Sequence, residues 1–270
     1  MDLHNTKGAK HFEPNNPCSP YFDAKRALAF QATKNANIDK KRDISIKHRV
    51  PNGVVIFCDL SNYQCLAEQY GDMACTNIVE TLFVQFDDIA TSLRLTPLKT
   101  NGDQYIVVGF VSEDEFADAV LYLATSSAIE FALKARNLTS SHTLLVSSSC
   151  QLRVGIATGT LIVGPSKRAL KGFDVWGATV NKAAMLEQFT AASTIAICAK
   201  THEVFVTSPD KVDFLLTQNN DALRQNNNTV VSANSTNASK PSPIACCTRA
   251  LNFYKTKIQT KTTLLNAYIC

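Results

Sequence analysis

Several features are scarce or missing in this chain of 270 residues. No stretch approaches the eighteen or so uninterrupted apolar residues of a membrane span. The opening MDLHNTKGAKHFEPNNP lacks the apolar centre of a secretory signal. The nine cysteines are odd in number and form no CxxC pair, which argues against a disulfide framework or a zinc site. Most read as small buried hydrophobes of a reducing compartment, with the adjacent Cys246 and Cys247 as a candidate redox pair. A net charge of +4 is too small to announce nucleic acid. The surplus is also local: residues 1–50 hold ten Lys and Arg against five Asp and Glu, leaving the rest near −1. These absences point to a soluble cytoplasmic protein that neither spans a membrane nor binds nucleic acid.

An apolar fraction of 45% with 19% charged residues is an ordinary globular mix. Residues 1–50 read as a basic polar leader, partly disordered, with a short helix over 23–37; Pro51, Asn52 and Gly53 close it. Residues 51–215 alternate in type. VVIFC (54–58) has the β-branched, apolar character of a buried strand, and 72–93 carry apolar residues at helical spacing. LTPLKT, Asn101-Gly102 and DQYIVVGF read as a hairpin. A second long helix is expected over 113–136 and a third over 176–188. LRVGIATGTLIVG (152–164) reads as strand, glycine turn, strand, and STIAICA (193–199) as a strand. Strand, helix, hairpin, helix, strand is the ferredoxin-like βαββαβ order, an α+β sandwich with helices on one face. Residues 216–243 are rich in Asn and Ser, as a flexible insertion is. Residues 244–270 return to the sheet as a hairpin in this reading.

Asp59 stands at the end of the first strand and Asp103 follows the Asn-Gly turn. Each alone reads as a turn aspartate. Strands 1 and 3 of a βαββαβ sheet are neighbours, however, so the two carboxylates meet at one edge. Paired carboxylates repel unless a cation joins them, and oxygen ligands suit Mg²⁺ or Mn²⁺ in a two-metal phosphoryl-transfer site. With Asn101 and Gly102 as the loop, Thr100 pairs with Asp103 and Lys99 with Gln104. Strand alternation then turns Lys99 away from Asp103, so the two serve different sites.

VVIFCDLSNY, LKTNGDQYIVVGF, LRVGIATGTLIVG and FDVWGATVNKAAMLE together resemble the class III nucleotidyl cyclase catalytic domain, in that family's order over about residues 52–206. The resemblance implies that Asp59 and Asp103, with the Leu60 carbonyl, hold two Mg²⁺ or Mn²⁺ ions per site. It implies that Lys99 and Asp174 read the purine, and a Lys–Asp pair suits adenine. Guanylyl cyclases usually carry Glu and Cys there. Asn181 matches the asparagine that orients the ribose, and Arg153 resembles a phosphate-contacting arginine. The family works as a dimer, one chain giving the metal carboxylates and its partner the purine pair and asparagine.

Two positions depart from the family. Its transition-state arginine lies one helical turn after the asparagine, where this chain has Met185; Lys182 points about 100° elsewhere, and Arg168 or Lys171 are nearby replacements. The Gly-Phe-Thr turn after the first aspartate is Asn62-Tyr63-Gln64 here. The family's phosphate-binding lysine has no assignable match beyond the Asn-rich stretch. The expected function is an adenylate cyclase converting ATP to cyclic AMP and pyrophosphate, slowed by Met185. The alternative is a cyclase-homology chain that binds nucleotide or pairs with a complete cyclase. A guanylate cyclase and an unrelated interaction module are further readings. No GG[DE]EF string supports a diguanylate cyclase.

Overall fold

The computed structural model describes residues 46–111, 117–167, 172–207, 251–259 and 264–270. The expected leader helix, the Asn-rich stretch, Arg168, Lys171 and the Cys246-Cys247 pair lie outside them.

An eight-stranded, mostly antiparallel sheet runs β2-β3-β1-β4-β6-β8-β7. Its centre is β1 (His48–Ser61), which pairs antiparallel with β3 (Gln104–Val111) on one side and β4 (Gln151–Pro165) on the other. β2 (Thr96–Asn101) closes the hairpin with β3. On the far side, β6 (Ile195–Cys198) runs parallel to β4, and β8 (Leu264–Ile269) joins β6 to the edge strand β7 (Tyr254–Gln259). The short β5 (Phe173–Trp176) pairs with the end of β4.

The run VVIFC is apolar at every position because both faces of the sheet are covered. Val54, Ile56, Cys58 and Leu60 belong to one buried cluster, whereas Val55 and Phe57 belong to another. The larger cluster takes α2 (Asp72–Ser92) and α3 (Ala117–Ser141). The α2 residues Val79, Leu82, Phe83, Phe86 and Ala90 recur every three to four positions along one helical face. The smaller cluster takes Ala183 and Leu186 of α5 (Ala178–Phe189). Helices therefore cover two faces, not one. The shorter helices are α1 (Tyr63–Tyr70), α4 (Thr143–Ser147) and α6 (Ala199–Thr207).

Two expectations about local structure are corrected. β4 is one continuous strand, not two joined by a glycine turn. Its glycines serve close packing instead: a Cβ at Gly155 would fall under 3.0 Å from Ala183 O and Glu187 N, and one at Gly159 would reach Thr179 Oγ1. The hairpin loop is Gly102-Asp103, with Gly102 at φ 62°, so Asn101 pairs with Gln104 and Thr100 with Tyr105. The same register sets Lys99 opposite Ile106, and a bulge between Pro97 and Lys99 shifts only the pairing of Pro97 and Thr96. Ile106 in turn pairs with Phe57, so Lys99 lies on the α5 face of the sheet, the same face as Gln104, as strand alternation led one to expect.

Candidate active site

Antiparallel register builds the centre of the site. Gln104 and Arg153 lie directly across from Asp59 on its two neighbouring strands, so one polar row crosses β3, β1 and β4. Cross-strand partners point to the same face, here the face carrying Phe57 and α5. Arg153 Nη2 makes a short ion pair with Asp59 Oδ2 and also lies 3.2 Å from Glu187 Oε1. Glu187 comes from α5, its side chain 4% exposed, and Gln104 Nε2 donates to its Oε2 at 3.3 Å. Burial first, and then the Asp59 charge, push the Glu187 carboxyl up to about 7. The helix sits deep enough to place it there because Gly155 has no side chain.

Asp103 occupies the β2–β3 turn and lines one cleft with Asp59, Leu60 and Arg153. The cleft encloses about 560 Å³, within the usual span of ligand pockets. Burial and then Asp59 raise the Asp103 carboxyl above its ordinary value. The opposite wall is the turn from Ser61 into α1. Ser61 Oγ donates to Gln151 O at 2.9 Å and Asn62 Nδ2 to Ser149 O at 3.0 Å, which fastens this turn to the start of β4. Asn62 holds φ 61° and ψ 23°, a left-handed conformation that asparagine tolerates better than most residues.

These groups fit a hard divalent cation. Asp59, Asp103 and Glu68 line the cleft, and Arg153 is the one basic side chain among the described residues that does so. The excess of acid over base, and the raised Asp103, would be relieved by a bound cation. The donors are oxygens, since Leu60 has its side chain buried in the core and faces the cleft through its main chain. Among the described residues no group of three or more His, Cys, Asp or Glu is placed to hold a metal ion, so a cation here would rest on two carboxylates. Two carboxylates with room for substrate oxygens is how Mg²⁺ is commonly held.

The remaining predicted residues gather elsewhere. Lys99 Nζ donates to both carboxylate oxygens of Asp174 at 2.8 Å, the two side chains 46% and 22% exposed. Asp174 is steadied by Val175 N, which donates to Oδ1 at 2.9 Å. β5 is pinned by Phe173 edge-on to Phe110 and by Lys47 Nζ, 3.8 Å from the Trp176 ring centre. Asn181 and Lys182 are exposed on α5, and Met185 is half-buried one turn beyond Asn181. Neither Lys99, Asp174 nor Asn181 lines the Asp59 cleft of its own chain. Sequence reasoning missed Glu187 and Gln104. The available signal was a glutamate next to Leu186 in the apolar stripe of a helix.

Residues 46–226 match the family described as the adenylate and guanylate cyclase catalytic domain. The chain belongs to this class III cyclase family. Its cyclase domain is 26% identical over 149 residues to an adenylate cyclase of Mycobacterium tuberculosis, covering 55% of this chain and 32% of that protein. It is 21% identical over 154 residues to the receptor-type guanylate cyclase gcy-28 of Caenorhabditis elegans, covering 56% and 12%. The chain thus spans a third or less of these relatives. In fold it is similar to the adenylyl cyclase CyaB from P. aeruginosa, with a TM-score of 0.58 and 17% identity over 83% of this chain and 94% of that one. Relatives of both purine specificities occur, so the cyclase domain is that of a nucleotidyl cyclase. Among the described residues no helix is long and apolar enough to cross a membrane.

Proposed function

We propose that the chain is an adenylate cyclase, converting ATP to 3′,5′-cyclic AMP and pyrophosphate in a site shared by two subunits. The observation that carries this reading is the exposed Lys99–Asp174 pair. An aspartate facing position 6 of a purine accepts from the adenine amine and is repelled by the carbonyl of guanine. Lysine donates to the adjacent ring nitrogen. The separation of this pair and Asn181 from the Asp59 cleft supports a shared site, with one subunit supplying the carboxylates and the other the purine pair.

Asp59 and Asp103, with the Leu60 carbonyl, hold two Mg²⁺ or Mn²⁺ ions. When held there, the metals would activate the ribose 3′-oxygen and offset the triphosphate charge. Arg153, already in the cleft, draws the phosphates toward it. Asn181 fixes the ribose so that the 3′-oxygen meets the α-phosphorus in line; the new P–O bond forms as the bond to pyrophosphate breaks. At Met185 a thioether replaces the family's arginine. An arginine at such a transition state is worth on the order of 10³–10⁵ in rate, or about 4–7 kcal/mol. Turnover is therefore slow.

The same methionine favours a second reading, a subunit that lends Asp59 and Asp103 to a partner chain retaining the arginine. The deciding experiment is cyclic AMP production from ATP and Mn²⁺ by the wild type and Met185→Arg in parallel. Slow synthesis that rises at least tenfold in the variant supports a homodimeric enzyme. Silence from both overturns it and leaves the partner-subunit reading.

A further inference from the structure

Arg153 is contested. A single nitrogen, Nη2, touches Asp59 on one side and Glu187 on the other. Its Nε is buried and bonds to nothing, and its Nη1 reaches only the Gln188 carbonyl at 3.5 Å. Glu187 is equally ill served: Oε1 faces Arg153 without hydrogen-bond geometry, and Oε2 has the Gln104 amide. Among the described residues Arg153 is the one cation that pairs with either acid. A guanidinium with an orphaned buried N–H, lying between two acids, is set for a small change of partner.

We propose that Glu187 is a positioning residue that takes over Arg153 when a divalent cation occupies Asp59. This inference rests on the reading of Asp59 as a metal ligand. Two positive groups cannot share the same carboxylate oxygen without strong repulsion, so metal entry must displace Arg153. A side chain as flexible as arginine would otherwise swing toward water. Glu187 prevents this because it already touches the same nitrogen and is itself fixed. Gly155 lets its backbone lie against β4, and Gln104, next to Asp103, holds its other oxygen. A buried carboxylate left without its cation is strongly disfavoured, so Glu187 keeps the guanidinium in the cleft. The exchange leaves Asp59 free for metal and Arg153 aimed where phosphate arrives.

The test is a double-mutant cycle read as Mn²⁺ affinity of the full chain, by electron paramagnetic resonance of free Mn²⁺ without nucleotide. Glu187→Gln should weaken Mn²⁺ binding by about tenfold, because Arg153 then stays on Asp59. Arg153→Gln should tighten it. In the Arg153→Gln background the Glu187→Gln change should shift affinity by less than about twofold. Equal weakening in both backgrounds would mean that Glu187 acts only through its charge on the cleft, and overturns the proposal. No weakening in the single variant overturns it as well. Should Glu187→Gln not fold, Glu187→Asp, which retracts the carboxylate by one carbon, is expected to weaken Mn²⁺ in the same background-dependent way. A spectroscopic readout is independent of affinity. With Mg²⁺ added, the Arg153 Nε–H nuclear resonance should stay protected from solvent exchange in the wild type and lose protection in Glu187→Gln. Wild-type protein that binds no Mn²⁺ overturns both this inference and the metal-site reading. Ordinary Mn²⁺ binding with a flat cycle overturns this inference alone.

Discussion

Replacing Gly155 with alanine probes how the site is assembled. One methyl group is added on β4 where α5 crosses it, and the atoms it meets are backbone: Ala183 O and Glu187 N. Backbone within a helix cannot rotate away as a side chain does. Restoring ordinary contact therefore requires α5 to move by about 1 Å, and displacements of that size at a reacting centre lower rates by about 10²-fold. Overpacking of this kind destabilises by about 1–3 kcal/mol, which for a domain of this size lowers Tm by about 4–8 °C at the middle of that range. The same helix carries Asn181, Met185 and Glu187, so stability and cyclization should fall together. Gly53→Ala is the matched control. There the added methyl meets chiefly Leu161, a buried side chain and not helix backbone, and a smaller loss of about 1 kcal/mol is expected. Calorimetry and cyclic-nucleotide assays on both variants decide the matter. A Gly155→Ala protein as stable and as active as Gly53→Ala refutes the close-packing argument.

Other perturbations test separate parts of the site. The double change Lys99→Glu with Asp174→Cys should lower the preference for ATP over GTP by about 10–100-fold, read as cyclic AMP against cyclic GMP from an equimolar mixture; an unaltered ratio would remove the purine role of this pair. Glu187 gives a pH signature. Its carboxyl is raised from an ordinary 4.5 to about 7 in the folded chain, chiefly by burial. The folded state thus binds this proton more tightly than the unfolded state, so its contribution is complete below pH 4.5 and is lost as pH rises through about 7. Urea unfolding should show stability falling across that window by about 3 kcal/mol, and Glu187→Gln should flatten the slope. An equal slope in the variant would place the titration elsewhere.

Much of the arrangement was legible in the sequence where local physics dominates. The apolar strand ending in Asp59, the Asn-Gly hairpin and the three long helices all appear in order, because periodicity and turn chemistry act over a few residues. What escaped depends on contacts between distant segments. Gly155 and Gly159 read as turn residues because glycine signals both turns and close approach; only the position of α5 tells which. The hairpin loop lies one residue later than the Asn-Gly signal placed it, and the bulge near Leu98, set by pairing with β3, has no local signal at all. Lys99 nevertheless keeps the face of Gln104 that alternation gave it, and it does not line the cleft. Glu187 was silent for a related reason. A glutamate in an apolar stripe gains meaning only when Arg153 and Gln104 are seen across from it.

The shared two-subunit site is tested most directly by mixing two disabled proteins. Asp59→Asn removes a metal carboxylate and Asn181→Ala removes the ribose contact; both are made in the Met185→Arg background, so that turnover is measurable. Each alone should make almost no cyclic AMP from ATP and Mn²⁺. Random pairing in a two-fold dimer makes half of the dimers mixed, each with one intact site of two, so the mixture should recover about a quarter of the parent rate. A mixture as silent as its components would contradict a site divided between chains.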